Sequence, residues 1–278
     1  MNILIIDWDE TSAATLKSHI ETLDHDVVHH TIKKKALDQL SAERFDMVFV
    51  DPHPDTDARQ LILDIKRAMM GLPYIVLMES TDGEEGASAK NFLEQGANAF
   101  FEKQADKDKL EQILESGEYL IDTIQNLGDD SIDFPNAGGV IAKSAFNQLF
   151  LTSIERADRY GEFTYVLMIK VSNYADILEK DGPYYAELTM AKLSQHIVNI
   201  RRQSDIIGQI GKNEYALLLL RPRSEKESVG AAKRLAKELA QMPSPRQSVE
   251  SDPEITLHLI KLPMAEKIVD HHCVLAAA

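Results

Sequence analysis

The chain has 278 residues, 44% of them apolar and 27% charged, with one cysteine and a formal net charge of −15. That length accommodates two ordinary domains, each able to bury its own core, and a lone cysteine excludes a disulfide framework. No apolar stretch reaches membrane-spanning length, and Asp7 comes too soon for a signal-peptide core, so a cytoplasmic setting without membrane insertion is expected. Residues 1–120 then alternate strand and helix signals with short breaks, the pattern of a parallel sheet covered on both faces. Strands are expected at Asn2–Ile6, His25–His30, Met47–Val50, Tyr74–Met78 and Ala99–Glu102. Helices are expected at Thr11–Leu23, Lys34–Ala42, Asp57–Met70 and Gly86–Gln95, followed by a long amphipathic one at Asp106–Leu127.

A five-strand doubly wound sheet carries its functional residues at the carboxyl ends of its strands, where Asp7, Asp51 and Lys103 fall. These residues, with Gln95-Gly96-Ala97-Asn98-Ala99-Phe100, resemble the receiver domain of bacterial response regulators. The fold implied is flavodoxin-like α/β over residues 1–120. By that resemblance Asp51 is the phosphoacceptor, Asp7 an acidic residue of the magnesium site and Lys103 the phosphoryl contact. Three positions depart from the family. Trp8 replaces a metal-binding carboxylate, although Asp9 lies one residue on. Met78 replaces the switch hydroxyl, and Gln104 replaces a proline. Magnesium wants several oxygen ligands, so weak binding is expected, and phosphorylation of Asp51 is not expected to switch the domain by the usual route.

The helix over 106–127 is long enough to continue as a stalk, and residues 121–137 read as stalk and linker, ending in turn-forming residues such as Gly128-Asp129-Asp130. From residue 138 the order is a helix over Gly139–Arg159, a strand over Tyr165–Val171, a helix over Ala186–Arg201 and a hairpin formed by Ile206–Gln209 and Tyr215–Leu220. A helix over Glu225–Gln241 and a strand over Ile255–Leu262 follow. His271-His272-Cys273 reads as an irregular or helical terminus, not a metal tail, and Tyr184 and Tyr185 as half-buried packing residues.

The hairpin turn Gly211-Lys212-Asn213-Glu214-Tyr215 stands where the GGDEF diguanylate cyclase family has its signature, and the second domain resembles that family over residues 138–265. The fold implied is an α/β palm with a central antiparallel hairpin, spanning 138–278. Lys170 and Ser172 occupy the family's two strand aspartates, Asn213 its motif carboxylate and Lys212 its second glycine. Leu178 stands where a guanine-binding asparagine is expected. Cyclisation of GTP needs metal-bound carboxylates at these places, and a neutral amide does not replace one. The family's product-binding R-x-x-D is matched by Arg202-Gln203-Ser204-Asp205, and its second arginine by Arg234. Arginine grips phosphate and guanine acceptors bidentately and stacks on purines.

The expectation is therefore a protein that is not an enzyme, a cyclic di-GMP receptor binding through Arg202, Asp205 and Arg234. No cofactor would be required. The resemblance implies a bacterial signalling protein, a homodimer, and a protein partner reached through the receiver. Residues 1–135, with 12 Lys and Arg against 28 Asp and Glu, argue against nucleic acid as a partner. Two alternatives stand beside it: an interaction scaffold that binds no nucleotide, and a weakly active diguanylate cyclase.

Overall fold

The computed structural model describes residues 1–275 except 56, 70, 80–91, 105, 130, 135–136, 221 and 243–250. Most of the expected helix at 86–95, part of the linker and Arg221 lie outside the described residues. The chain divides into two compact units, one built on Met1–Thr123 and the other mainly on Ile124–Ile154 and Phe163–Leu262. No helix among the described residues is long and apolar enough to cross a membrane.

In the first unit β1 (Asn2–Ile6), β2 (Asp26–His30), β3 (Met47–Val50), β4 (Tyr74–Glu79) and β5 (Ala99–Glu102) form one sheet in the order β2-β1-β3-β4-β5, every pair parallel. Its central strands are apolar throughout because the sheet is covered on both faces. Helices α1 (Glu10–Glu21), α2 (Lys33–Ala42), α3 (Arg59–Ala68) and α4 (Lys107–Gly128) are the described helices of this region. Asp9 caps α1, its carboxylate accepting from the Thr11 and Ser12 amides at 2.9 and 3.3 Å. Asp106 begins α4 in the same manner, accepting from the Lys109 amide at 3.0 Å. Leu110, Ile113, Leu114 and Leu120 form the buried stripe of α4 that the heptad-like spacing predicts.

The second unit holds an antiparallel sheet in the order β10-β9-β6-β8-β7. Its strands are β6 (Thr164–Val171), β7 (Ile206–Gly211), β8 (Glu214–Leu219), β9 (Glu254–Leu262) and β10 (Glu266–Val274). Helices α5 (Lys143–Tyr160), α6 (Tyr174–Lys180), α7 (Pro183–Ile200) and α8 (Glu225–Ala240) complete it. Leu167, Ile169 and Val171 of β6, Leu217 of β8 and Leu257 of β9 share a core with Leu193 and Ile197 of α7 and Leu235 and Leu239 of α8. Each of β6, β8 and β9 gives alternate residues to this core, and the residues between them, such as Val166, Met168 and Leu218, are buried on the opposite face.

Three local expectations are corrected. The helix predicted from Gly139 starts at Lys143, because Gly138 and Gly139 take φ of 56° and 92°, outside the helical range. Val140 turns back onto Ala137, and the Ile141 amide donates to the Ile207 carbonyl at 2.8 Å. His271-His272-Cys273 is neither irregular nor helical: it lies in β10, paired with β9, where Val269 and Cys273 alternate toward the core. Tyr184 and Tyr185 are not both half-buried. Tyr185 is 1% exposed and Tyr184, the next-door residue on α7, is 78% exposed.

Candidate functional site

The parallel sheet brings three predicted side chains to one place. Asp7 follows β1, Asp51 follows β3 and Lys103 follows β5, so strand ends that are far apart in sequence converge. The Lys103 ammonium donates to Asp7 Oδ1 at 2.8 Å and to Asp51 Oδ2; both carboxylates are buried and the lysine side chain is 9% exposed. Burial alone would lower the lysine pKa, but the hydrogen bonds and charges of Asp51 and Asp7 outweigh it and raise the value above 10.5. The remaining oxygen of Asp51 accepts from the His53 amide at 2.8 Å. Asp7 Oδ1 also accepts from the Asp9 amide at 3.0 Å.

Above this cluster opens a cleft of about 590 Å³ lined by Trp8, Asp9, Asp51, His53 and Lys103 among others. Trp8 stacks on the His53 ring, centroids 4.5 Å apart, and is 55% exposed. His53 was not anticipated from the sequence, since nothing in its spacing marks a stacking partner. Met78 is fully buried within β4, and the next residue, Glu79, is the one that lines the cleft. Among the described residues no group of three or more His, Cys, Asp or Glu side chains is arranged to hold a metal ion.

The second set of predicted residues sits around the β7–β8 hairpin. Lys170 and Glu214 face each other across β6 and β8. Burial raises the Glu214 carboxyl above its ordinary value, and the Lys170 charge offsets this in part. The Asn213 side-chain amide donates to the Val171 carbonyl at 3.0 Å, a bond an ionised carboxylate could not make. Ser172 Oγ donates to the Glu254 carbonyl at 3.2 Å, Lys212 is exposed, and the Tyr215 hydroxyl donates to the Met190 carbonyl at 3.1 Å. Gly211 closes the hairpin, paired with Glu214.

Just before β7, Arg202 is exposed and its Nη1 donates to Glu227 Oε1 of α8 at 2.5 Å. Asp205 is 4% exposed, so its carboxylate is turned away from solvent. Burial raises its pKa, opposed by hydrogen bonds involving the Arg202 and Leu220 backbones. Arg201 ties the turn together, its guanidinium donating to the Arg202 and Asp205 carbonyls at 3.0 and 2.5 Å. Arg234 is exposed on α8, two turns beyond Glu227 and on the same face. The structure thus brings Arg202 and Arg234 to the flanks of one helix face and withdraws Asp205 from it. Glu227 was not anticipated from the sequence, although Ser224 followed three residues later by Glu227 has the spacing of a capping box.

A doubly wound sheet with an Asp–Asp–Lys cluster at its strand ends defines a receiver-type domain, and the antiparallel palm defines a nucleotide-cyclase-like one, although its β7–β8 hairpin lies at the edge of the sheet and not at its centre as expected. Family models agree: the response regulator receiver domain matches residues 3–115, and the diguanylate cyclase GGDEF domain matches residues 136–270. The chain therefore carries a receiver domain followed by a GGDEF domain, the architecture of a signalling protein. The expectation that it is not an enzyme is corrected by this match, since a diguanylate cyclase domain is present and makes the chain a candidate enzyme. Among solved structures, the GGDEF domain of PA1120 (TpbB or YfiN) from Pseudomonas aeruginosa is similar at 20% identity, over 43% of this chain and 70% of that one, with a TM-score of 0.38. A two-component response regulator from Clostridium difficile is similar at 21% identity, over 43% and 96%, also with a TM-score of 0.38. A CheY-like receiver domain from Methylobacillus flagellatus is similar at 27% identity, over 42% and 98%, with a TM-score of 0.36. No curated protein matches the sequence.

Proposed function

We propose that the GGDEF domain binds cyclic di-GMP at the hairpin root, with Arg202 and Arg234 contacting the dinucleotide and Asp205 shaping the turn that presents Arg202. The observation that carries this reading is the exposed Arg202 guanidinium, which already holds a carboxylate and is therefore placed to hold an anion. Guanidinium groups suit a cyclic dinucleotide because they pair with phosphate oxygens and stack on purines. Asp205 supports the site indirectly, from beneath the turn. The same proposal includes a homodimer and a protein partner that docks on the receiver. It also includes weak magnesium binding at the receiver, because Asp7 and Asp51 share one ammonium, Asp9 is spent on a helix cap and Trp8 supplies no oxygen.

Calorimetric titration of cyclic di-GMP into the full chain tests it. Saturable binding is expected, weakened at least tenfold in Arg202→Ala and in Arg234→Ala. Absence of heat from the wild type, or unchanged affinity in both variants, would overturn the reading. The family match supports a second reading, synthesis of the dinucleotide from GTP, and Glu214 is the carboxylate retained for it. Chromatography of a GTP and magnesium incubation decides that one.

A further inference from the structure

We infer that Glu227 is the internal occupant of this dinucleotide site, an anionic latch on Arg202 that an incoming phosphate displaces, and that Gly230 is the open floor beside it. The inference rests on the reading that cyclic di-GMP binds at Arg202.

Glu227 uses its two oxygens differently. Oε2 accepts from the Arg223 amide at 2.8 Å, and Oε1 accepts from Arg202. The first contact resembles the glutamate half of a capping box shifted by one residue: Glu227 lies three residues after Ser224, the N-cap of α8, and reaches back past it to Arg223, while the Ser224 side chain makes no capping bond. Capping of this kind works equally well with glutamine, so it explains the position and one oxygen but not the charge. The charge serves Arg202. Hydrogen bonding to each other raises the Arg202 pKa and lowers that of Glu227, so the pair is ionised at neutral pH. Both side chains are partly exposed, at 47% and 28%, and such a pair is held loosely. A phosphodiester offers the guanidinium the same two-oxygen geometry and so competes directly with the carboxylate.

Gly230 lies three residues after Glu227 and four before Arg234, so the three share one face of α8. A glycine inside a helix is unfavourable relative to alanine. Nothing inside the chain accounts for it: a Cβ built there meets no described atom within 4 Å, and its backbone is not left-handed. The missing side chain instead leaves the helix backbone bare between Arg202 and Arg234, where a base or sugar of the ligand has room to lie.

The test compares the full chain with Glu227→Gln and Gly230→Leu, by calorimetry with cyclic di-GMP and by thermal melting. Glu227→Gln keeps the capping contact and removes the competing charge, so it should melt as the wild type does and bind roughly threefold or more tighter. Gly230→Leu should melt no lower than the wild type, because leucine is the better helix former, yet bind about tenfold more weakly by filling the floor. If the wild type binds but Glu227→Gln binds equally or less well, the latch is overturned. Unchanged affinity in Gly230→Leu overturns the floor. No heat from either protein removes the dinucleotide reading itself, and the latch with it.

Discussion

Glu214 is a carboxyl held in a partly desolvated place, with only the Lys170 charge across the strand pair to favour its ionised form. Its folded pKa lies above the ordinary 4.5, so its stabilising contribution is complete below that value and is lost as the pH rises through the folded one. Glu214→Gln is therefore expected to match the wild type in stability at pH 4 and to exceed it at pH 7. Urea midpoints at the two pH values check this, and a variant less stable at pH 7 would mean that the Lys170 pair outweighs the burial. The residues of the receiver cluster were legible from sequence because strand ends in a doubly wound sheet converge by topology alone. Those of the hairpin site were legible only in part. Spacing located Arg202 and Asp205, but it does not reveal which way a carboxylate faces, and Asp205 faces inward. Glu227 was hidden for a related reason: its capping role is local, whereas its partner Arg202 lies 25 residues away in sequence.

At the scale of elements, glycine has opposite meanings in two places. Gly208 of β7 sits against the Phe146 side chain of α5, and a Cβ added there would lie 2.7 Å from its Cβ and ring atoms. Phe146 is fully buried and has no free end to move aside, so Gly208→Ala is expected to cost about 1–3 kcal/mol by overpacking. Differential scanning calorimetry would show the loss as a lowered midpoint, and an unchanged midpoint would show that α5 yields more readily than its burial implies. The exposed Gly230 has no such neighbour. Element identity was readable wherever both faces of a strand are covered, as in Met47–Val50, because the sequence is then uniformly apolar. It failed for β10, most of whose residues are exposed and where a bulge between Lys267 and Val269 breaks the alternation, so that Ile268, Val269 and Cys273 pack on the core without a regular period. It failed also at the start of α5, where two left-handed glycines turn the chain before the helix can begin.

For the whole molecule, the receiver half carries the charge imbalance, with 28 acidic residues against 12 basic ones, while the other half is nearly neutral. Lys103 is already neutralised by two carboxylates, and that leaves little to gain from a phosphoryl group on Asp51. Beryllofluoride with magnesium is accordingly expected to leave the sedimentation coefficient of the full chain unchanged. A shift between oligomeric states on adding it would show that Asp51 still controls assembly. The stack of Trp8 on His53 has a consequence of another kind. Trp8 is the only tryptophan in the sequence, and it stands half-exposed at the mouth of the receiver cleft beside an imidazole. The tryptophan emission of the intact protein, excited beyond the absorption of its tyrosines, therefore comes from a single known address. A ligand arriving at Arg202 stays dark unless its arrival is felt at the receiver, so an unlabelled chain in a fluorimeter reports directly whether its two domains are in conversation.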